Sequence, residues 1–195
     1  MPYGREEGPG GKSHDRPPPW WNPDEIKAAV RTLELLRANK ADTSPSLAVL
    51  SPYAQQVEKL RTAISRKMDG SLSHLRAFNP AINPTDYCGT VDSFQGGEAD
   101  LVIVSMVRNN AHASPKKALG FLRDNRRMNV LLSRAKWRLI LIGSLSFYRH
   151  VVEISRKLPD QDVYFIAKFL EALKETVEAK EGQIVSFSDL SGSKL

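Results

Sequence analysis

The sequence of 195 residues contains a single cysteine, Cys88. One thiol closes no internal disulfide and builds no zinc cluster, and it fits a reducing intracellular compartment. No stretch reaches the roughly 18 apolar residues that a transmembrane helix needs, so no membrane partner is expected. The first 21 residues lack an apolar core, so no secretory signal is expected either. A hydrophobic fraction of 41% and a charged fraction of 26% exclude collagen-like and wholly disordered classes. What remains is a soluble globular chain, long enough for one domain with tails.

The net charge is +6, and its placement says more than its sum. Residues 121–160 carry nine basic and three acidic side chains, equivalent to the whole excess. Residues 161–195 carry four and six. A local basic block suggests a phosphate-rich ligand or partner near residues 121–160.

Residues 1–21 are rich in proline and glycine and read as a disordered tail. Gly10-Gly11-Lys12-Ser13 invites comparison with a phosphate loop, but Glu6 stands where the first glycine belongs and no apolar strand precedes it. Asn22, Pro23, Asp24 and Glu25 form a helix start, with Asn22 as cap and two acids at the positive end of the dipole. Ile26, Ala29, Val30, Leu33 and Leu36 follow as one apolar stripe. Leu47–Leu50, Tyr87–Val91, Leu101–Val107 and Leu139–Ile142 read as strands. Those that are apolar on both faces belong in a parallel sheet covered by helices. Helical stretches are expected at 52–67, 124–136, 145–157 and 162–180, with a loop at 69–85 broken by Asn79-Pro80 and Asn83-Pro84. The expected fold is α/β, with domain bounds of 22–158 and a C-terminal helix and loose tail over 159–195.

Three segments at strand ends carry the chemistry, since ligands of open α/β sheets gather at the carboxyl ends of strands. The first is Ser51-Pro52-Tyr53 with Gln55 and Gln56, where the tyrosine can stack on a base or simply decorate a turn. The second is Thr90 through Glu98, a hydroxyl- and glycine-rich turn. Gly96 and Gly97 free backbone amides for an anion, and Glu98 can orient a water or hold a cation. An ordinary turn before the next strand is the alternative. The third is Gly120 through Ala135. Drawn as a helix over 126–135, it puts Arg127 and Arg134 on one line beside the stripe Met128, Leu131, Leu132 and Ala135. Arginines there suit bidentate phosphate recognition, with a solvated basic face as the alternative.

The words SPYAQQ, TVDSFQGGEADLVIVSMVR and GFLRDNRRMNVLLSRAK, in this order, resemble motifs IV, V and VI of superfamily 1 helicases. The resemblance covers residues 22–150 and points to the branch of the nonsense-mediated-decay helicase and senataxin. It implies a RecA-like three-layer sandwich, the second of two motor domains, with ATP bound in the cleft between them. By position, Tyr53 would lie near the adenine, and Gln95, Gly96 and Glu98 would face the nucleotide and domain interface. Arg134 would be the arginine finger, and Arg127 would support it. Thr90, with Ser51 and Pro52, would lie along the backbone of single-stranded DNA or RNA. Such a finger supplies on the order of 10³–10⁵ in rate.

The chain departs from the family pattern at Gly97, where an arginine is common, and at Lys136, where arginine is common. It also lacks a credible phosphate loop and any strand ending in paired magnesium-binding acids. ATP with Mg²⁺ is therefore expected only when an N-terminal motor domain, in cis or in trans, completes the site. Little or no ATP hydrolysis is expected of this chain alone. A stand-alone module that binds nucleic acid or protein, and an unrelated mononucleotide-binding domain, are the competing readings. Ser193-Lys194-Leu195 matches a peroxisomal address that three residues meet easily by chance, so a cytoplasmic, nucleoid or nuclear location is the expectation.

Overall fold

A computed structural model describes residues 20–38, 44–110, 114–156 and 163–192. Helix α1 (Pro23–Leu35) starts where the cap predicts, with the Asn22 side chain accepting from the Asp24 and Glu25 N–H groups. Strand β1 (Ser46–Ser51) leads into α2 (Ala54–Ser65). The expected loop at 69–85 contains a 3₁₀ turn, Ser73–Ala77, and a two-residue strand, β2 (Asn79–Pro80). Asn79 and Pro80 do break the helical path, but they also pair in parallel with Ser46 and Leu47. Strands β3 (Cys88–Thr90) and β4 (Ala99–Ser105) follow, then a short helix α3 (Pro115–Leu119) that periodicity did not suggest. Helix α4 (Asn125–Leu132), strand β5 (Ala135–Ile142), and helices α5 (Leu145–Ser155), α6 (Tyr164–Glu178) and α7 (Phe187–Gly192) complete the order.

All strand pairs in the sheet are parallel. β4 and β1 are central, β5 lies outside β4, and β2 and β3 share the other side of β1. Side chains alternate between two cores, as a strand period of two demands. Leu47, Val49, Leu101 and Ile103 pack on one face with Ala29 and Leu33 of α1 and Val57, Leu60 and Ile64 of α2. Ala48, Leu50, Val102 and Val104 pack on the other with Met128 and Leu131 of α4, residues of α5, and Ile166 of α6. This is an α/β/α sandwich of the RecA-like type. Cys88 is buried in the first core, and burial pushes its thiol up to about 12, so it is inert rather than reactive.

Two boundaries differ from the periodic reading. α4 ends at Leu132, because the Arg134 carbonyl accepts from the Ala99 N–H (3.0 Å) and draws the chain into the sheet. The C-terminal stretch is not uniformly loose: α7 lies against α1, where Arg31 Nε donates to the Leu190 carbonyl at 2.9 Å. Of the tail reading for 1–21, residues 1–19 fall outside the described residues, while Trp20 and Trp21 sit on α2. Ser193–Leu195 also falls outside them. Among the described residues no helix is long and apolar enough to cross a membrane.

Ile103 is fully buried at the centre of β4. Ile103→Ala is expected to cost about 2–5 kcal/mol in denaturant unfolding, with an unchanged slope, because a sheet gripped from both faces relaxes little around a cavity.

Candidate nucleotide and nucleic-acid site

The site is assembled at the carboxyl ends of β1, β3 and β4. β1 and β3 end in register, with Ser51 opposite Thr90. Ser51 is fully buried, and its hydroxyl accepts from the Tyr53 N–H at 3.4 Å. Its side chain therefore shapes the turn. Pro52 and Thr90 are half-buried. Thr90 Oγ1 accepts from the Ser93 N–H at 3.0 Å, and Ser93 Oγ donates back to the Thr90 carbonyl. This pair starts a 3₁₀ turn over Asp92–Phe94.

Gln95 follows that turn, exposed, and lines a cleft with Val91, Asp92, Arg126, Arg127 and Val130. The cleft volume is about 240 Å³. Arg127 lies 3.7 Å from Asp92 and 3.6 Å from Asp124, and its guanidinium stands 5.0 Å from the Phe121 ring centroid. Phe121 in turn abuts Tyr53, with centroids 6.2 Å apart. Motifs IV, V and VI thus bring Tyr53, Gln95 and Arg127 around one edge. Burial raises the Tyr53 phenol above its usual range, so the ring is neutral at physiological pH.

Arg134 lies elsewhere. With α4 ending at Leu132, it leaves the helical line of Arg127 and sits beside the start of β4, at the far end of the helix. Its guanidinium donates to the Val130 carbonyl (2.8 Å), the Gly97 carbonyl (3.0 Å) and Ser133 Oγ (2.9 Å). Glu98 is exposed and 3.7 Å from Lys136 Nζ. Gly96 has φ +82°, a conformation that requires glycine. A Cβ on Gly97 would lie 2.7 Å from the Phe94 ring, so the family's arginine is replaced here together with the space it would need. Among the described residues, no group of three or more His, Cys, Asp or Glu side chains is placed to hold a metal.

Several residues that hold this edge together were given no role by the motifs that contain or precede them. Val107 has φ +69°, rare for a β-branched residue, in a three-residue turn closed by the Arg108 N–H donating to the Met106 carbonyl (2.8 Å). Both backbone groups of Val107 are tied: its N–H donates to Glu25 Oε2 (2.8 Å), and its carbonyl accepts from Asn22 Nδ2 (3.3 Å). Glu25 also accepts from Ser105 Oγ at 2.6 Å. Gln56 Nε2 donates to the same Ser105 Oγ (2.7 Å), and Gln56 Oε1 accepts from the Asn22 N–H (2.8 Å). Glu25 is therefore a buried clasp that joins the start of α1 to the end of β4 and the Val107 turn. Beyond the turn, Arg108 is buried and donates to the carbonyls of Ala118 and Lys117 at the end of α3. Gly120 makes room for it, since a Cβ there would meet the guanidinium at 2.9 Å.

A parallel sheet bearing this turn and an arginine helix at its edge defines a RecA-like domain of the helicase type. The chain belongs to the AAA domain family AAA_12, whose model matches residues 5–146, and it fits the C-terminal domain of superfamily 1 helicases. It is 34% identical to Helicase SEN1 of Saccharomyces cerevisiae over 125 residues, covering 63% of this chain and 5% of that protein. It is 35% identical to Putative helicase MOV-10 of Gallus gallus over 136 residues, covering 65% and 13%. It is 38% identical to the DNA replication ATP-dependent helicase/nuclease DNA2 of Mus musculus over 109 residues, covering 55% and 9%. The chain thus spans well under a fifth of the length of each of these relatives.

Burial raises the Glu25 carboxyl from 4.5 to about 7, against the opposing pull of its hydrogen bonds from Ser105 and Val107. The folded state therefore binds the proton more tightly than the unfolded chain. The associated stability is fully present below about pH 4.5 and is lost as pH rises through about 7. Its size is roughly 3 kcal/mol at about 1.4 kcal/mol per pKa unit. Unfolding curves from pH 5 to 8 are expected to show this decline, and Glu25→Gln is expected to flatten it.

Proposed function

We propose that the chain works as the second motor domain of an ATP-dependent DNA or RNA helicase or translocase. The observation that carries this reading is the convergence of Tyr53, Gln95 and Arg127 on one edge of a sheet whose family members are helicases. Tyr53 offers a neutral aromatic platform for the adenine base. Gln95, Gly96 and Glu98 face the nucleotide and the first motor domain. Arg127 holds its position beside the cleft through Asp92, Asp124 and Phe121. Thr90 and the half-buried Pro52 lie along the nucleic-acid backbone, a track whose contacts are largely sequence-tolerant.

Arg134 acts as the finger. Its donors rest on two neutral carbonyls and a hydroxyl. A charged phosphate oxygen is a stronger acceptor than a neutral carbonyl, so approach of the γ-phosphate draws the guanidinium off Gly97. The short reach from the end of α4 makes this a side-chain motion. ATP with Mg²⁺ would be held tightly only where a first motor domain adds a phosphate loop and paired acids, whereas this chain alone would bind the nucleotide weakly, through its base. A magnesium ion held by that first domain would supply charge neutralisation, and this chain would supply the base platform and the arginines.

Magnesium-dependent ATP hydrolysis is the direct test. The isolated chain is expected to show none above background. A complete motor containing this domain is expected to hydrolyse ATP in the presence of single-stranded nucleic acid, and Arg134→Ala is expected to lower kcat by about 10³ or more with a small change in KM. Robust turnover by the isolated chain, lost in Arg134→Ala, would refute the reading.

A further inference from the structure

The base platform is already covered. Trp20 lies on Tyr53 with ring centroids 5.2 Å apart and planes within 13° of parallel. Phe121 stands against the same tyrosine tilted by 59° and is packed into the core cluster beneath it. A flat base needs a flat face, and Trp20 holds it.

Among the described residues the attachments of Trp20 are few. Its backbone N–H donates to Gln55 Oε1 at 3.1 Å, and the Arg108 guanidinium stands 5.2 Å from its ring. It belongs to no helix or strand and is half-buried. Two residues on, the chain is firmly anchored. Asn22 is buried and joined to Gln56, Val107 and the first N–H groups of α1. Trp21 lies between, with Lys59 Nζ 5.5 Å from its ring centroid. The segment is thus a strap with a fixed root at Asn22 and an aromatic tip on the platform.

We propose that Trp20 is a displaceable occupant of the Tyr53 platform, an autoinhibitory contact that a purine nucleotide must dislodge before its base can stack. This rests on the reading that Tyr53 receives the base. One stacked pair and one cation–π contact, the latter to the buried Arg108 guanidinium, are each modest, so the strap is held firmly enough to weaken nucleotide binding but not to prevent it. Asn22 is the pivot, because its own bonds do not involve the indole. Arg108, which lies by the Trp20 ring, is left to face the incoming base, and Phe121 stays as the back wall.

The experiment is a titration of the full chain with ATP, followed by ligand-detected NMR at the adenine protons and by the indole N–H signals of the protein. Trp20→Ala is expected to bind ATP about tenfold more tightly than the unaltered chain, with the stack and cation–π contact removed. Trp20→Phe, which keeps a ring on the platform, is expected to fall between them, and thermal unfolding verifies that both variants are folded. In the unaltered chain the Trp20 indole signal is expected to shift as ATP is added. Equal affinity in the unaltered chain and Trp20→Ala overturns the proposal while leaving the base platform intact. Weaker binding by Trp20→Ala also overturns it and makes the indole a wall of the base slot. Absence of adenine contact in folded Trp20→Ala, where Tyr53 is bare, overturns both the proposal and the base-platform reading.

Discussion

The edge where this domain would meet a nucleotide depends on one strained turn, at Val107. A β-branched residue with φ +69° persists only where its surroundings over-determine it. Glu25 and Asn22, neighbours in the first turn of α1, supply that determination by gripping both backbone groups of Val107. The cost is a carboxyl buried at the top of the central strand, and the cost is softened because three donors surround it. What the turn achieves is directional. It stops β4 at Ser105 and sends Arg108 inward to the end of α3, beneath the aromatic ladder of Trp20, Tyr53 and Phe121. Through Gln56 the same network fixes the start of α2, and so the position of Tyr53 at its cap.

The two arginines read together in the sequence have separate settings in the fold. Arg127 stands at the start of α4, beside the cleft and the aromatic ladder. Arg134 lies past the other end of that helix, bound to Gly97. Helix α4 therefore spans from the Tyr53 and Phe121 rings to Arg134, and the glycine turn of motif V lines its flank. A movement of either end is carried along one short rigid rod. Gly97 ties motif V directly to motif VI, and Phe94 fills the place that a side chain on Gly97 would take.

The sheet was legible in the sequence because Leu47–Leu50 and Leu101–Val104 are apolar on both faces, a pattern that few other settings tolerate. The three linked motifs made Tyr53, Gln95, Arg127 and Arg134 visible as a set. What stayed hidden has non-local causes. Periodicity carries the helix on to Ala135, whereas a hydrogen bond from Ala99 ends it early. Glu25 looks like a residue placed for the helix dipole, and only the partner strand, about 80 positions away, makes it a clasp. Ser51 reads as part of a strand-end loop, yet it is the last residue of β1, paired with β3 in the interior of the sheet, and is fully buried. Trp20 follows a proline run whose composition reads as tail, and nothing local announces that its ring finds Tyr53. Gly120 was a faint signal: its lack of a side chain marks the approach of Arg108.

The proposed role turns on where Arg134 goes when a first motor domain is present. The most direct measurement is a structure of the complete motor with ADP and a transition-state mimic of the transferring phosphoryl group. The account predicts that the Arg134 guanidinium leaves the Gly97 carbonyl and lies about 3 Å from the mimic, a charge-assisted hydrogen-bond distance. Arg134 still bound to Gly97 and Val130, with another cation at the mimic, would contradict it.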